Sequence, residues 1–469
     1  MRMKQIGSSI EVLSPQELEL IHQTACNILS RMGIRVPGDE LLEQCAQLGC
    51  PVEWEAQLLR IPSNLLEDFI QKMRGQSPPP EPVAQALHGR ISTQVMLVDY
   101  KTKQRRYGLR DDNLKGIRLV ESLPNIPKAN AAVVPSDVPY ELSDLISITD
   151  IYKYSHKPGS TYILTPLGAK YIQMADRVMG RRSQYLFETI SPLTFKADTV
   201  EMAWMLAKGG GSLSIAPMAM GMATAPVTVA GTLAVETAEC LASAYLVHVM
   251  TGEYPSFSMS CHSLDPRSML CSFGSPNQAL FAVATAQIAR FYGIPGDSNS
   301  GLTDGMLPDF QAGFEKALSA VMAGFSGMKN IGCQGIVGAD QGFSFEQLVI
   351  DNEWLDSYNY LVKGFEVTSE TLGFDTIQSV GVAGNYLGEE HTVEHMRDSY
   401  WVSQLFGRMD WSNWAAAGYP DLCQRAYAYV ETATRGYREM EPVPGAAVCA
   451  RLDAIVNEAY TELKAGKEI

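Results

Sequence analysis

The chain has 469 residues, of which 46% are hydrophobic and 19% charged, and it carries a formal net charge of −15 with a pI near 5.0. This composition supplies a large core and excludes an intrinsically disordered chain. The acidic balance argues against binding nucleic acid, which needs a basic stripe to release counterions.

The N-terminal part reads as helices with clear punctuation. "SPQE" at 14–17 is a capping box with Pro15 at the first helical position, and Gly33 stops that helix. "GDELLEQCAQLG" and "PSNLLEDFIQKMRG" repeat the pattern, each closing on glycine. "QSPPPEP" at 76–82 reads as a linker, and "ISTQVMLVDY" after it alternates like a strand. Residues 1–125 are therefore expected to form an N-terminal, mostly helical extension.

From residue 129 the rhythm changes. Apolar segments recur as "ANAAVVPS", "STYILTP", "QYLFETISP", "SLSIAPM", "SFSMSCHS", "PGDSNSG", "KNIGCQGI" and "DTIQSVG", separated by helical patterns such as "FQAGFEKALSAVMAGFSG". Eight strand–helix units predict an α/β fold, a (β/α)8 TIM barrel over 126–390, with helices from 391 to 469 packed on it. A doubly wound sheet is the rival, but "KGGGS" at 208–212 precedes a strand where a phosphate loop would follow one. Residues 209–235 carry no charge, yet their prolines, glycines and hydroxyls break any comfortable spanning helix, so no membrane span is expected. Nine cysteines without a C-x-x-C pair, behind "MRMKQIGSSIEVL" with no signal-peptide pattern, point to a reduced, cytoplasmic protein.

Barrel chemistry sits at the C-terminal strand ends. The carboxylates there are Asp137, Asp265, Asp304 and Asp340, and no lysine or arginine accompanies them. "HTVEH" puts His391 and His395 at i, i+4, but threonine stands where a zincin needs glutamate, and Cys261-His262 is a sequential pair with no demonstrated spatial one. No resident metal, acid–base residue or nucleophile is expected. This inventory suits a substrate that already carries its leaving group. A quaternary ammonium ion loses a methyl in one displacement as a neutral tertiary amine departs, and it asks for orientation and aromatic faces. Phe195, Phe343, Phe345 and Tyr386 are the candidate faces.

"SPLTF", "GMATAPVTVAGTLAVETAECLAS", "LTDGMLPDFQAGFEKALSA", "DQGFSFEQLVIDNEW" and "HTVEHMRDSYW" together resemble the trimethylamine methyltransferase family over about residues 15–440. The resemblance implies a TIM barrel that presents a methylated amine to the Co(I) of a separate corrinoid protein, with no cofactor held permanently. Members that demethylate trimethylamine carry pyrrolysine, whereas every residue here is one of the common twenty. The chain is thus similar to the branch acting on quaternary amines: glycine betaine first, then proline betaine, carnitine or a butyrobetaine. A non-catalytic betaine-binding barrel is the alternative from another class.

On this reading the Gly335–Gly342 loop follows the seventh strand, and Asp340 faces the cation beside Phe343 or Phe345. Gln341 and Gly342 complete the loop's substrate-binding candidates. Ser344 and Gln347 fit a capping box whose helix start could seat a substrate carboxylate. Asp304 is expected mainly to fix its own turn, and Tyr100 is a candidate lid aromatic. A small-molecule quaternary amine, a corrinoid protein and further copies of this chain are the expected partners.

Overall fold

The computed structural model describes residues 9–467. Eight short strands carry the sheet layer: β1 (His88–Ile91), β2 (Ala129–Asn130), β3 (Gly159–Ser160), β4 (Gln184–Leu186), β5 (Ser212–Ser214), β6 (Phe257–Met259), β7 (Gly296–Ser298) and β8 (Asn330–Gln334). Each is followed by a helix before the next begins, the last being Phe345–Lys363. Parallel pairing joins β2 to β3, β4 to β5, β6 to β7 and β7 to β8. β8 in turn pairs with β1 in parallel, and a parallel bridge between Gln94 and Val133 links the chain after β1 to the chain after β2. The result is an α/β fold in which the last strand of the series meets the first.

Local chemistry fixes where the helices begin and end. Thr165, Thr228, Asp309 and Ser344 each accept a backbone N–H in the first turn of the helix they precede, a contact worth about 1 kcal/mol. Gly180, Gly252 and Gly293 close three helices in the left-handed conformation. The predicted box at Ser14 forms in full with Glu17. At Ser344 only half of it forms: the hydroxyl accepts from Gln347 N at 3.2 Å, while the Gln347 amide turns to Asp351 Oδ1 at 2.8 Å.

The uncharged 209–235 stretch becomes β5, a loop and the opening of the helix Val229–Thr251. This is the one described helix long and apolar enough to cross a membrane, and 78% of its apolar window is buried inside the protein.

Two sequence expectations change. "DTIQSVG" is not the eighth strand: Phe374–Val380 is a helix between Gly373 and Gly381, both at positive φ. The missing strand is β1, "HGRI", within the segment drawn as the 1–125 extension. β8 already has β1 as its partner, so no edge awaits a strand from 375–381. A hairpin, Met96–Val98 with Arg105–Tyr107, follows β1, and Leu97 pairs with Phe343 of the short strand Gly342–Phe343. Towards the C-terminus, the helix Ala446–Lys467 lies on Pro166–Met179, where Glu462 takes Lys170 at 2.6 Å and Tyr171 at 2.7 Å.

Candidate functional site

A cavity of about 490 Å³ is lined from all eight strands or the residue after each: Ile91, Asn130, Ser160, Leu186, Ser214, Ser258, Ser298 and Cys333 among them. The strand period explains the wall. Along β4 and the two residues after it, Gln184, Leu186 and Glu188 face the cavity at alternate positions, while Tyr185 and Phe187 turn outward into the core.

Asp340 reaches this cavity by an unusual backbone. Gly338, Ala339 and Asp340 run consecutively left-handed, with φ of 65°, 51° and 67°. The two non-glycine residues cost about 1–2 kcal/mol each, a strain that surrounding bonds must hold. Gly338 N donates to Gly305 O at 2.7 Å and Ala339 N to Thr303 O at 2.9 Å. The loop's root is pinned by Asp351, which accepts Gly335 N at 2.7 Å and pairs with Lys316 at 3.0 Å, both side chains being fully buried. Lys316 also donates to Gly301 O at 2.8 Å, and Trp354 Nε1 to Asp351 Oδ1 at 3.0 Å. A ring of satisfied buried charge thus fixes the turn that aims Asp340.

Three ionisable groups share the cavity on the loop side. Gln94 Nε2 donates to Asp340 Oδ1 at 2.6 Å, yet burial still raises the carboxyl above its usual range. Burial pushes Glu188 up to about 7, with Lys196 opposing. Glu188 opens onto the cavity and makes no hydrogen bond to another described residue. Tyr162 lines the same cavity, its hydroxyl 3.2 Å from Ser92 Oγ. Burial above all, then Cys333, Glu188 and Asp340, push this phenol up to about 12. Phe273 adds a second ring to the wall. At the other ends of the strands, Arg90 pairs with Asp297 at 3.1 Å, and Lys128 lines the cavity just before β2.

Behind the wall, Val229–Thr251 carries two buried carboxylates that tie down loops after three strands. Glu236 accepts Ala219 N and Ser260 N, each at 2.7 Å. Glu239 accepts Thr189 Oγ1 at 2.6 Å, Ser191 Oγ at 2.7 Å and Leu193 N at 2.7 Å. Burial raises both, and neither touches the cavity.

Of the residues singled out from the sequence, Asp340 is the one that lines the cavity. Phe343 is fully buried and meets Phe345 edge-on at 5.4 Å; its ring would lie 2.4 Å from a β-carbon on Gly335. Phe195 stacks on Phe187 at 4.3 Å within the core. Gln341 accepts from Arg105 through its carbonyl and its Oε1. Gly342 pairs with Val337 and packs so closely on Val98 that a β-carbon would come within 2.7 Å. Asp304 accepts Ser272 Oγ and Phe273 N, each at 2.6 Å, and so sets the place of Phe273. Tyr100 stacks on Tyr427 at 5.3 Å beside a smaller cavity of about 220 Å³, which Phe345 also lines. Tyr386 is 43% exposed and lines neither cavity. Sequence reasoning missed Gln94, Tyr162, Glu188 and Phe273. Alternation along "QYLFETISP" was the available signal for Glu188.

Metal-type ligands come together once among the described residues, at His22, Cys26 and Glu67. His22 bridges Tyr292 at 3.2 Å and Glu67 at 2.7 Å, while Cys26 Sγ lies 3.7 Å from both ring nitrogens, hence off the ring plane and out of line with either lone pair. The His391 and His395 rings lie 4.4 Å apart, tilted at 53°, on an exposed helix. His262 is fully buried, bonded to Gln278 at 2.8 Å, and burial takes it down to about 4.

The family model described as trimethylamine methyltransferase matches residues 2–459. A trimethylamine methyltransferase of Desulfitobacterium hafniense (strain DSM 10664 / DCB-2) is 28% identical over 97% of this chain and 95% of its own. A glycine betaine methyltransferase of Desulfitobacterium hafniense (strain Y51) is 30% identical over 280 residues, 59% of this chain and 58% of that protein. A solved structure, described as the hydroxylamine complex of MtmB, has a TM-score of 0.50 at 12% identity, covering 94% of this chain and 97% of that one, which is a likeness of fold. With the family match running through the cavity-bearing strands and nearly to both ends, the chain belongs to the trimethylamine methyltransferase family.

Proposed function

We propose that this methyltransferase takes a methyl group from a quaternary amine, glycine betaine foremost, and delivers it to the Co(I) centre of a separate corrinoid protein. On this reading the eight strands close as a TIM barrel, and the chain itself holds no cofactor. The observation that carries it is Tyr162 in one cavity with Glu188 and Asp340: an aromatic ring and two carboxylates, with the lining arginine, Arg90, already paired with Asp297. Such a wall attracts a permanent cation.

In the transfer, a bond forms between the methyl carbon and cobalt as the C–N bond breaks, and its electron pair stays on nitrogen to leave a neutral tertiary amine. The chain's contribution is to orient the cation and exclude water. Positive charge leaves nitrogen in the transition state, so over-tight binding of the cation would cost rate. Two aromatic faces, Tyr162 and Phe273, make a loose enclosure in which the carboxylates supply most of the attraction.

A second reading, favoured by Lys128, is a longer zwitterion such as carnitine or a butyrobetaine. Lys128 lies at the opposite end of the strands from Asp340 and could meet a distant carboxylate. Proline betaine remains a third substrate to try. Incubating the protein with a Co(I) corrinoid protein and each betaine, and following the cobalt spectrum, tests the assignment. Methylcobalt formation with one betaine supports it. Binding of the betaine without any cobalt change would instead identify a non-catalytic betaine-binding protein.

A further inference from the structure

Between Val362 and Leu405 no residue is buried. The chain leaves the helix Phe345–Lys363 at Gly364, forms the helices Ser369–Leu372, Phe374–Val380 and Glu390–Ser399, and returns to the helix it left. Tyr360 donates to Ser399 O at 2.6 Å, Trp401 Nε1 to Asp356 at 2.7 Å, and Gln404 N to Glu353 at 2.9 Å. The excursion is ordered by its own local bonds: Thr368 caps Thr371, Asn385 holds Leu387, and Thr392 bonds Tyr386 O.

Its surface is wrong for water. Phe365, Leu372, Phe374, Leu387, Val393 and Tyr400 are each 60–82% exposed. At roughly 100 Å² apiece these six present on the order of 600 Å² of apolar surface within one 39-residue segment. Its charge is one-sided as well, with seven acids against Arg397 alone between 364 and 402.

The complementary surface is on the same chain. The hairpin Met96–Tyr107 carries Lys101, Lys103, Arg105 and Arg106 against Asp99. Its outer strand, Arg105–Tyr107, is an exposed sheet edge, and Tyr107 is 64% exposed. An open edge of this kind invites a covering partner.

We propose that residues 364–402 are an arm that docks on the basic hairpin of a second copy of this chain. An apolar surface of this extent needs permanent cover, and another copy is present in matching amount whenever the protein is. Reciprocal exchange of arms across a two-fold axis satisfies both surfaces in both copies. The hairpin also holds the Asp340 loop, through Leu97 on Phe343 and Arg105 on Gln341. Docking therefore steadies the cavity wall of the neighbour.

Sedimentation of the full chain tests this. Wild type is expected to be a dimer or a larger assembly at micromolar concentration. Lys101→Glu with Lys103→Glu, and separately Glu389→Lys with Glu390→Lys, should each weaken assembly at least tenfold, and the four changes in one chain should restore it. Phe374→Asp with Leu387→Asp should yield monomers whose helical circular dichroism is kept. A monomeric wild type, undiminished assembly in any of these variants, or failure of the combined charge reversal to restore it overturns the proposal. Should a variant misfold, carbodiimide coupling of mixed isotope-labelled and unlabelled wild type decides: hairpin lysines joined to arm acids of the other copy support docking, and only intrachain links overturn it.

Discussion

The cavity region and the arm are built on opposite principles. Behind the cavity wall, buried carboxylates are answered: Asp351 has Lys316, Gln347, Trp354 and Gly335 N, and Glu236 and Glu239 each accept from the loops they hold. In the arm, apolar groups are exposed and unanswered. The contrast teaches what each region leaves open: the first satisfies its buried charges within the chain, while the second orders itself locally and leaves its apolar side chains uncovered.

The largest effect should come from the buried ion pair. Lys316→Met leaves Asp351 charged and unpaired and should cost about 3–5 kcal/mol, read as a lowered urea midpoint at unchanged slope. Gly335→Ala comes next. Its φ of 84° and a β-carbon 2.4 Å from the Phe343 ring add strain to overpacking, roughly 2–4 kcal/mol together. A stability equal to wild type would mean that the loop root is looser than its bonds imply.

Cation binding should follow the acids of the wall. Glu188→Gln and Asp340→Asn should each weaken betaine binding about tenfold, equivalent to ~1.4 kcal/mol, in titration calorimetry. With burial raising the Glu188 carboxyl to about 7, affinity should rise from pH 6 to pH 8, and Glu188→Gln should flatten that rise. Stability runs the other way. A carboxyl raised above its unfolded value costs stability as pH climbs from its ordinary range towards 7, so the ligand-free Glu188→Gln variant should lose less stability over that window. The smallest effect belongs to the arm: Leu387→Ser, measured in dissociated chains at low concentration, should change stability by no more than about 0.5 kcal/mol. A large loss there would erase the contrast between the two regions.

The alternation of short apolar segments with helical patterns was readable because each strand has a helix to pack on, so "QYLFETISP" and "KNIGCQGI" announced themselves. β1 was not, since "HGRI" is only four residues behind a proline-rich stretch and its partner β8 is more than two hundred residues away in sequence. Asp340 stood out because glycines surround it. Phe343, in the short strand after the loop, and Phe345, at the head of the next helix, point away from the main cavity, a distinction that depends on which side meets Val98 and Lys115 and leaves no trace in sequence. Glu188 lies two residues past the end of β4, where alternation still carries the inward face of the strand beyond its last paired residue.

The left-handed run at Gly338–Asp340 decides which substitutions can be interpreted at all. Aspartate and asparagine tolerate that handedness better than alanine or glutamate. Swapping carboxylate for amide at 340 therefore deletes a charge while the chain keeps its course. An alanine there would add backbone strain beside that of Ala339, and the assay would report a mixture of lost attraction and lost stability.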